Sequence, residues 1–466
     1  VGTVAAVMAP TSDRKGRAAY VKLTESGEKE ADVLRVAAGE TRALRFDVSL
    51  DELATIPRTP IAYWMGEAER KAFGMRRSVA TVCRSGNGLT SSDNDRFLRF
   101  WWEVDRSGIE TDRGPGDLPT RRRWHPINKG GGFRRWAGNC DYVIDWAENG
   151  KALYDLRPTS TVRNSDLYFR PSVSWSDVVT GPVSFRFYPK GWIFDASANS
   201  LFPTGDDVEG LLAFANSAFA GQMALLLNPG LHFKLGDMGS LPYLKRTDPG
   251  WREEIEELVG AAQRDWDSIE TGRGFGAPSL VVHKGTWDVP LKVVAQEVAE
   301  AEISLTARVH ELESKNNAEI GAQYDLDSQY ANPRAIASVA LIQNPWAVGK
   351  VKTPDPSKQQ AQRSVGDLIS YAVGCMFGRY SLDEPGLVLA DHGATLQDYL
   401  ERVPVPTFKP DADNVIPMVD GDWFEDDVVG LFRRFLRSAF GDKHFEENLR
   451  FVTESLGVRD IRDYFI

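Results

Sequence analysis

The residues best suited to chemistry on a polyanion lie in one stretch, 113–139. Between Arg113 and Arg135 seven residues are basic and only Asp117 is acidic, although the chain as a whole carries a formal charge of −11. Electrostatic attraction falls off within roughly 8–10 Å at ordinary salt, so this local excess indicates an anionic partner at one place. Planar arginines suit phosphates and guanine edges. The alternative is a solvated basic loop that pairs with the chain's own acids.

Aromatic and glycine residues are interleaved with these charges. Gly130, Gly131 and Gly132 are consecutive, and such a run can turn successive backbone N–H groups toward a phosphate. Trp124 and Trp136 flank the glycines, and aromatic rings can pack on sugars and bases. The stretch is therefore the strongest candidate site in the sequence.

Motifs for metal binding, nucleotide hydrolysis and nuclease chemistry give no comparable signal. The three cysteines and six histidines have no metal-ligand spacing, and no Gly-Lys-Ser/Thr phosphate loop is present. The glycines at 272–276 follow a helical pattern, which predicts a helix C-cap and loop. Glu313 and Lys315 have the Glu-x-Lys spacing of nucleases, but the acid that should precede them is missing. We expect this pair to face solvent.

The whole chain fits two to four ordinary globular domains. It has 466 residues, of which 42% are hydrophobic and 26% are charged. No run of about 18 apolar residues indicates a transmembrane helix, so no membrane contact is expected. The three widely spaced cysteines fit a reducing cytoplasm, and the first residues read as a strand or mid-protein fragment and not as a signal peptide.

Strand-like runs dominate the first half of the chain, and amphipathic helical runs dominate the second. The predicted strands are Val4–Met8, Ala19–Leu23, Ala43–Val48, Phe97–Val104, Tyr142–Trp146, Val183–Tyr188 and Trp192–Asp195. The predicted helices are 207–227, 251–266, 291–316, 365–376 with a stop at Gly378, 424–440 and 443–456. The proline-rich segment 403–422 is predicted to be irregular. The segregation of strands from helices predicts an α+β fold.

Several short sequence motifs, which occur in a fixed order, resemble those of one family. They are DNDRF (93–97) with FWWEV (100–104), NKGG (128–131) with RRW (134–136) and GN (138–139), YPKGWIFD (188–195), LNP (227–229) with FKLGDM (233–238), DWDS (265–268) and ISYAVGCMFGRYSL (369–382). Their order and spacing are similar to those of the PglX-type adenine-specific DNA methyltransferases of BREX phage-defence systems. These are relatives of the single-chain type II restriction-modification methyltransferases. The resemblance runs from about residue 55 to the C-terminus.

The resemblance implies an architecture. Residues 1–65 would be the trailing part, a remnant edge, of a Rossmann-like methyltransferase domain, and 66–245 a β-rich target recognition domain that binds double-stranded DNA. Residues 246–345 would be a helical spacer and 346–466 a C-terminal helical domain. In the target recognition domain, the residues expected to contact DNA are Asn94, Arg96, Arg121, Arg122, Arg123, Lys129, Gly130, Gly131, Arg134, Arg135 and Trp136. For Asn94 and Arg96 a turn cap with a local ion pair is an equal alternative.

The resemblance also implies methyl transfer from S-adenosylmethionine to N6 of a flipped adenine. Such enzymes hold the amine with an Asn-Pro-Pro-Tyr word, which this sequence lacks. Asn344-Pro345-Trp346 lacks the second proline, so we expect a helix-ending turn there. No S-adenosylmethionine site is found, and we expect the chain to be inactive alone. It is either the DNA recognition portion of such a methyltransferase, or a non-catalytic scaffold of a defence complex, bound by other subunits or a phage inhibitor.

Overall fold

The computed structural model describes residues 15–24, 26–75, 77–205, 207–283, 289–326, 334–347, 356–389, 393–421 and 423–466. The predicted strand Val4–Met8 lies outside these residues. The remainder has a mixed content of strands and helices, and this agrees with the predicted α+β class at the level of composition. The division into four domains stays a prediction.

Ten strands in the described residues form three sheets. They are β1 Arg17–Val21, β2 Arg45–Ser49, β3 Cys83–Gly86, β4 Leu98–Phe100, β5 Trp124–Asn128, β6 Tyr142–Asp145, β7 Ser172–Ser176, β8 Arg186–Tyr188, β9 Ile193–Phe194 and β10 Ala198–Pro203. The pair β1–β2 is antiparallel. The second sheet has the order β3-β10-β7-β8 and is antiparallel throughout. The third has the order β4-β6-β5-β9, in which only β5 and β9 are parallel.

Helices surround these sheets and make up most of the chain after residue 207. They are α1 Lys29–Ala37, α2 Leu50–Leu53, α3 Glu67–Phe73, α4 Val79–Val82, α5 Asn94–Phe97, α6 Ala147–Asp155, α7 Val208–Ala215, α8 Ala218–Leu227, α9 Leu235–Gly239, α10 Trp251–Trp266, α11 Ser279–Val282, α12 Leu291–Gln323, α13 Pro356–Met376, α14 Leu396–Arg402, α15 Val428–Phe440, α16 Phe445–Leu456 and α17 Arg462–Phe465. Short 3-10 turns lie at Trp101–Glu103, Arg106–Gly108, Ser165–Leu167 and Ile336–Ser338.

One large core joins the antiparallel sheet to the first helices. It runs from Ile56 to Leu341 and includes Trp175 of β7, most of α7 and α8, and the buried stripe of α10. That stripe recurs at spacings of three and four residues, because a helix presents such positions on one face. The core therefore extends on both sides of residue 245, where the sequence predicts a domain boundary.

A second core is built mainly from helices, with Phe275, Tyr380 and Phe408 contributed by loops, and it is connected to the first by α12. The N-terminal half of α12 packs with α13, α15 and α16 around buried residues such as Leu291, Val298 and Phe435. The C-terminal half places Val309 and Leu312 in the first core. A helix of 33 residues is about 50 Å long, so α12 reaches both.

The predicted helices after residue 250 are confirmed, because their apolar periodicity is long and clear. Gly378 follows the end of α13 with φ +72°, and 403–421 contains no helix or strand, as predicted. The single helix predicted at 207–227 is wrong. Asn216 interrupts it by hydrogen bonding both backbone groups of Phe185, and Ser217 caps α8 by accepting a hydrogen bond from Ala220 N.

Two predicted strands are shorter than the sequence suggests. The run that begins at Phe97 is extended only at Leu98–Phe100 and then turns, and the run from Val183 pairs only from Arg186. Among the described residues no single helix is long and apolar enough to cross a membrane, although the pair α7 and α8, bent by 68°, passes that test together.

The interface between α12 and α13 contains a buried carboxylate, Glu302, to which Gln360 donates a hydrogen bond. Burial raises the pKa of Glu302 from 4.5 to about 8; Arg363 opposes this shift, whereas Asp265 and Asp367 add to it. The folded protein therefore keeps a proton over the pH range in which the unfolded chain has lost it. The free energy of unfolding should fall as the pH rises from about 4.5 to about 8.

We predict that Glu302→Gln makes the protein more stable than the wild type at pH 8.5, by an amount on the order of a few kcal/mol. The advantage should shrink toward pH 5, because wild-type Glu302 then carries little penalty. Thermal unfolding at both pH values measures the effect, with the exposed Glu300→Gln as the matched control. An identical pH dependence in Glu302→Gln and the wild type would contradict this assignment.

Candidate nucleic-acid interface

Strand β5 divides the basic stretch into two groups. Arg121, Arg122 and Arg123 immediately precede β5, and we call them the arginine end. Residues 129–134 follow β5, and we call them the glycine loop. Five residues of extended chain separate the two groups by about 16 Å. The structure therefore does not gather the predicted cations into one cluster.

The three residues of the arginine end differ in how closely they are paired with acids of the same chain. Arg123 donates two hydrogen bonds to Asp145, of 2.9 and 2.7 Å. Arg122 lies 3.7 Å from Glu110 with half of its side chain exposed. Arg121 is exposed and makes no ion pair with any residue that the structure describes. Arg121 and Arg122 are consequently the most available for an external phosphate.

Tertiary pairing brings Asn94 and Arg96 to the same end of the sheet. Leu98 of β4 is paired with Ile144 of β6, and Ile144 is paired with His125 of β5. The residues just before β4 and β5 therefore lie near each other, although they are far apart in sequence.

Both side chains are exposed at the start of α5. The turn-cap alternative describes their neighbour Asp93, whose carboxylate accepts a hydrogen bond from Arg96 N. Asn94 Oδ1 accepts a hydrogen bond of 2.6 Å from Ser91. The Arg96 guanidinium lies 4.9 Å from the centroid of the Phe97 ring. Its side chain is exposed and makes no ion pair with any of the residues that the structure describes.

The glycine loop is built in a way that only glycine permits. Gly130 and Gly131 have φ of +78° and +118°, and a Cβ on Gly131 would lie 2.7 Å from Asn139 Cγ. Gly130 N donates to Asn128 Oδ1, and Gly131 O accepts from Ser176 Oγ. The N–H of Gly130 is thus used internally, and only those of Gly131 and Gly132 are without a partner in the described part of the chain.

Cations near the glycine loop are partly enclosed. Lys129 Nζ lies 3.3 Å from Asp195. Arg134 is half-buried, with its guanidinium 6.0 Å from the centroid of the Trp266 ring. Burial lowers the pKa of Arg134, and the charge of Asp265 opposes this. The loop also has a neighbour that the sequence did not single out for this role, Lys234.

Lys234 lies beside the loop through a short chain of contacts. Its Nζ pairs with Asp177 at 2.8 Å, and Asp177 N donates to Ser197 O. Ser197 Oγ in turn donates to the backbone oxygen of Lys129. The sequence could not reveal this proximity, because Lys234 belongs to a distant motif and comes close to the loop only in the folded chain.

Two predicted DNA contacts, Arg135 and Trp136, lie in the interior instead. Both are buried. Arg135 Nη1 donates to Glu313 Oε2 at 3.0 Å, and Trp136 Nε1 donates to Glu313 Oε1 at 2.8 Å. This contact with Glu313 withdraws both side chains from the surface. It also corrects the expectation that Glu313 faces solvent, although its neighbour Lys315 is exposed and pairs with Glu254.

Other residues considered for chemistry have structural roles. Asn344 is buried and donates to the backbone oxygens of Ile336 and Val339, while its Oδ1 accepts from Trp346 N. Its hydrogen-bonding groups are therefore already engaged. Burial lowers the pKa of His125 to about 4, so this histidine is neutral. Within the described residues, no group of histidine, cysteine and acidic side chains could hold a metal ion.

Comparison with known proteins shows homology over most of the chain, while no family model matches it. The chain is 31% identical over 416 residues to the adenine-specific methyltransferase BrxX of Escherichia coli O9:H4 (strain HS). It is 30% identical over 419 residues to the adenine-specific methyltransferase PglX of Lacticaseibacillus casei (strain Zhang). Each alignment covers 87% of this chain and 33% of the relative. The predicted kinship is confirmed, and the chain spans about a third of these relatives' length.

We predict that Glu313→Ala lowers the free energy of unfolding by about 3–5 kcal/mol, because it leaves the buried charge of Arg135 without a partner. Urea unfolding measures the loss. Glu311→Ala on the same helix is the matched control, since Glu311 is exposed and pairs with Arg308, which is also exposed. It should cost less than about 1 kcal/mol. Equal losses of unfolding free energy in the two variants would show that the Glu313 contact contributes no more to stability than an exposed ion pair.

Proposed function

We propose that this homologue of adenine-specific methyltransferases is the DNA target recognition portion of a site-specific DNA adenine-N6 methyltransferase in a BREX-type phage-defence system. The observation that carries the proposal is the homology over 87% of the chain. The exposed arginines of an otherwise acidic protein support it, since phosphate neutralisation supplies most of the affinity of such proteins for DNA.

The exposure of each side chain suggests a division of labour on DNA. Arg96, Arg121 and Arg122 are outward-facing and suit phosphates or the O6 and N7 atoms of guanine. Asn94 suits an adenine edge. Lys129 and Arg134 contribute charge at the glycine loop, where Gly131 offers an N–H group. A separation of about 16 Å corresponds to roughly five base pairs, so both ends can contact one duplex.

Methyl transfer itself requires groups that this sequence does not contain. A flipped adenine has to be held at its amine, and the Asn-Pro-Pro-Tyr word that does so is absent. We propose that the chain recognises DNA and that S-adenosylmethionine binds outside it. In this proposal the chain determines which adenine is presented and does not react with it.

A non-catalytic interaction role is the second candidate, and one surface favours it. Met418, Trp423 and Phe424 are large apolar side chains that are more than half exposed. The exposed acids Asp420 and Glu425 lie among them in the sequence. An exposed apolar segment with interspersed acids suits a protein partner that carries basic residues, such as another defence subunit or a phage inhibitor.

We predict salt-sensitive binding to duplex DNA, and removal of Arg121 and Arg122 together should weaken it. Each lost phosphate contact reduces the slope of log K against log salt by about 0.9, so the double alanine variant should lose about 1.8. Fluorescence anisotropy between 50 and 300 mM salt measures both slopes; these concentrations span roughly the range in which counterion release dominates.

The matched control removes two exposed cations elsewhere, with Lys71→Ala and Arg308→Ala in one chain. Lys71 pairs with Glu67 and Arg308 with Glu257, both at the surface. This control changes the net charge equally and should retain the wild-type slope. Binding that is absent, or that ignores salt, would overturn the recognition proposal.

We further predict no methyl transfer when the chain alone is incubated with S-adenosylmethionine and duplex DNA. The physical reason is the missing grip on the adenine amine. Mass spectrometry of digested DNA measures N6-methyladenine, with an active adenine methyltransferase as the positive control. Detectable product above the enzyme-free background would mean that the chain contains a catalytic site of another form.

A further inference from the structure

A cavity of about 600 Å³ is lined by Phe187 of β8 and by no residue of the glycine loop. Its walls come from the loop around β8 and β9, from α7, from α10 and from the loop that follows α10. Most of the wall surface is apolar, and Phe187, Trp192, Leu212 and Val259 are among the residues that line it. Its volume lies within the range of small-molecule sites, roughly 300–1,000 Å³.

Two arginines contribute positive charge to this apolar cavity. The Arg273 guanidinium lies over the Trp192 ring, 5.3 Å from its centroid. Its Nη1 atom is buried and has no hydrogen-bond partner among the described residues. Arg106 is exposed and also lines the cavity. Burial lowers the pKa of Arg273, Cys140 and the charge of Asp267 oppose this, and the nearby charge of Arg106 lowers it further, yet an arginine stays protonated in proteins.

The acids that line the cavity do not satisfy Arg273. Glu209 is paired with Arg252 at 2.5 Å. Asp267 accepts hydrogen bonds from Gly274 N and from Gln263. Glu256 is exposed to water, which screens its charge. A buried donor of a charged group is thus left for an acceptor from outside.

The cysteine in the cavity wall, Cys140, is not a reactive nucleophile. Burial raises the pKa of the Cys140 thiol to about 12, so this cysteine stays protonated and cannot serve as a reactive thiolate. The arrangement therefore favours binding over covalent chemistry. A ligand that fits needs a flat apolar part for the aromatic wall and an anionic group for the two arginines.

We propose that this cavity binds a nucleoside monophosphate. The base packs on Phe187 and Trp192, because aromatic side chains stack on any base. The phosphate accepts hydrogen bonds from Arg273 and Arg106, whose planar forks match phosphate oxygens. The site does not depend on the DNA interface proposed above, because it lies on a different set of residues.

Isothermal titration of the chain with AMP, GMP, CMP and UMP tests the proposal. At least one of them should bind saturably with one site per chain. Adenosine and inorganic phosphate alone should each bind at least about tenfold more weakly than the best nucleotide, since each lacks one of the two contacts. Arg273→Gln should weaken the binding of that nucleotide by at least about tenfold.

A second variant closes the cavity without removing a charge. Gly260 lines it from α10, and a Cβ there meets only the end of the Arg264 side chain, at 3.3 Å. Gly260→Leu should therefore keep the helix intact and abolish nucleotide binding. Arg379→Gln is the matched control, because Arg379 also lies over an aromatic ring, Tyr380, but does not line the cavity.

The outcomes separate this site from the DNA interface. The expected result is nucleotide binding that Arg273→Gln and Gly260→Leu abolish or weaken, while thermal stability and the salt slope of DNA binding stay at wild-type values. The absence of binding by all four nucleotides overturns the proposal. So does binding that survives Gly260→Leu, and so does phosphate alone binding as tightly as a nucleotide.

Discussion

The contact between Glu313 and the pair Arg135 and Trp136 is the constraint on which the rest of the structure depends. One carboxylate accepts hydrogen bonds from two consecutive residues that are 177 and more positions away. A buried ion pair adds little net stability, because desolvation offsets the attraction, but removing one partner is costly. The contact thus selects one way of docking α12 on the sheets. It holds the end of the glycine loop against a long helix.

Neighbouring polar contacts on α12 extend this docking. Asn316 donates to the backbone oxygen of Ala213 in α7, and Asn317 accepts a hydrogen bond from Ala218 N at the start of α8. Both asparagines are buried. Each hydrogen bond therefore fixes where α12 lies against its neighbour, in addition to which face of α12 is buried. The same helix continues into the second core, and its two halves therefore connect the β-rich part with the helical C-terminal part. The β-rich part and the C-terminal part are therefore physically coupled through α12.

The distribution of charge follows from the same packing. Two cations near the packed interior are engaged by the chain itself: Arg135 is paired with a carboxylate, and Arg134 lies over an aromatic ring. The cations that precede β5 lie at the end of the sheet where β4 begins and β6 ends, and Arg121 and Arg122 are exposed there. In the proposed function, these exposed residues are the ones best placed to contact DNA. The relatives named above are adenine-specific methyltransferases, and this chain spans about a third of their length.

The sequence by itself determined the helices after residue 250, the segregation of strands from helices, the location of the basic stretch and the kinship with adenine-specific methyltransferases. These features follow from local periodicity, composition and the order of the sequence motifs, and none of them depends on which distant residues come into contact. Only the tertiary structure decided that Arg135 and Trp136 are internal, that Glu313 is their partner, and that Arg96 lies at the arginine end. It also decided the break at Asn216, which pairs with the backbone of Phe185. Burial and partnership depend on what packs against a side chain from elsewhere in the chain, and no local pattern contains that information.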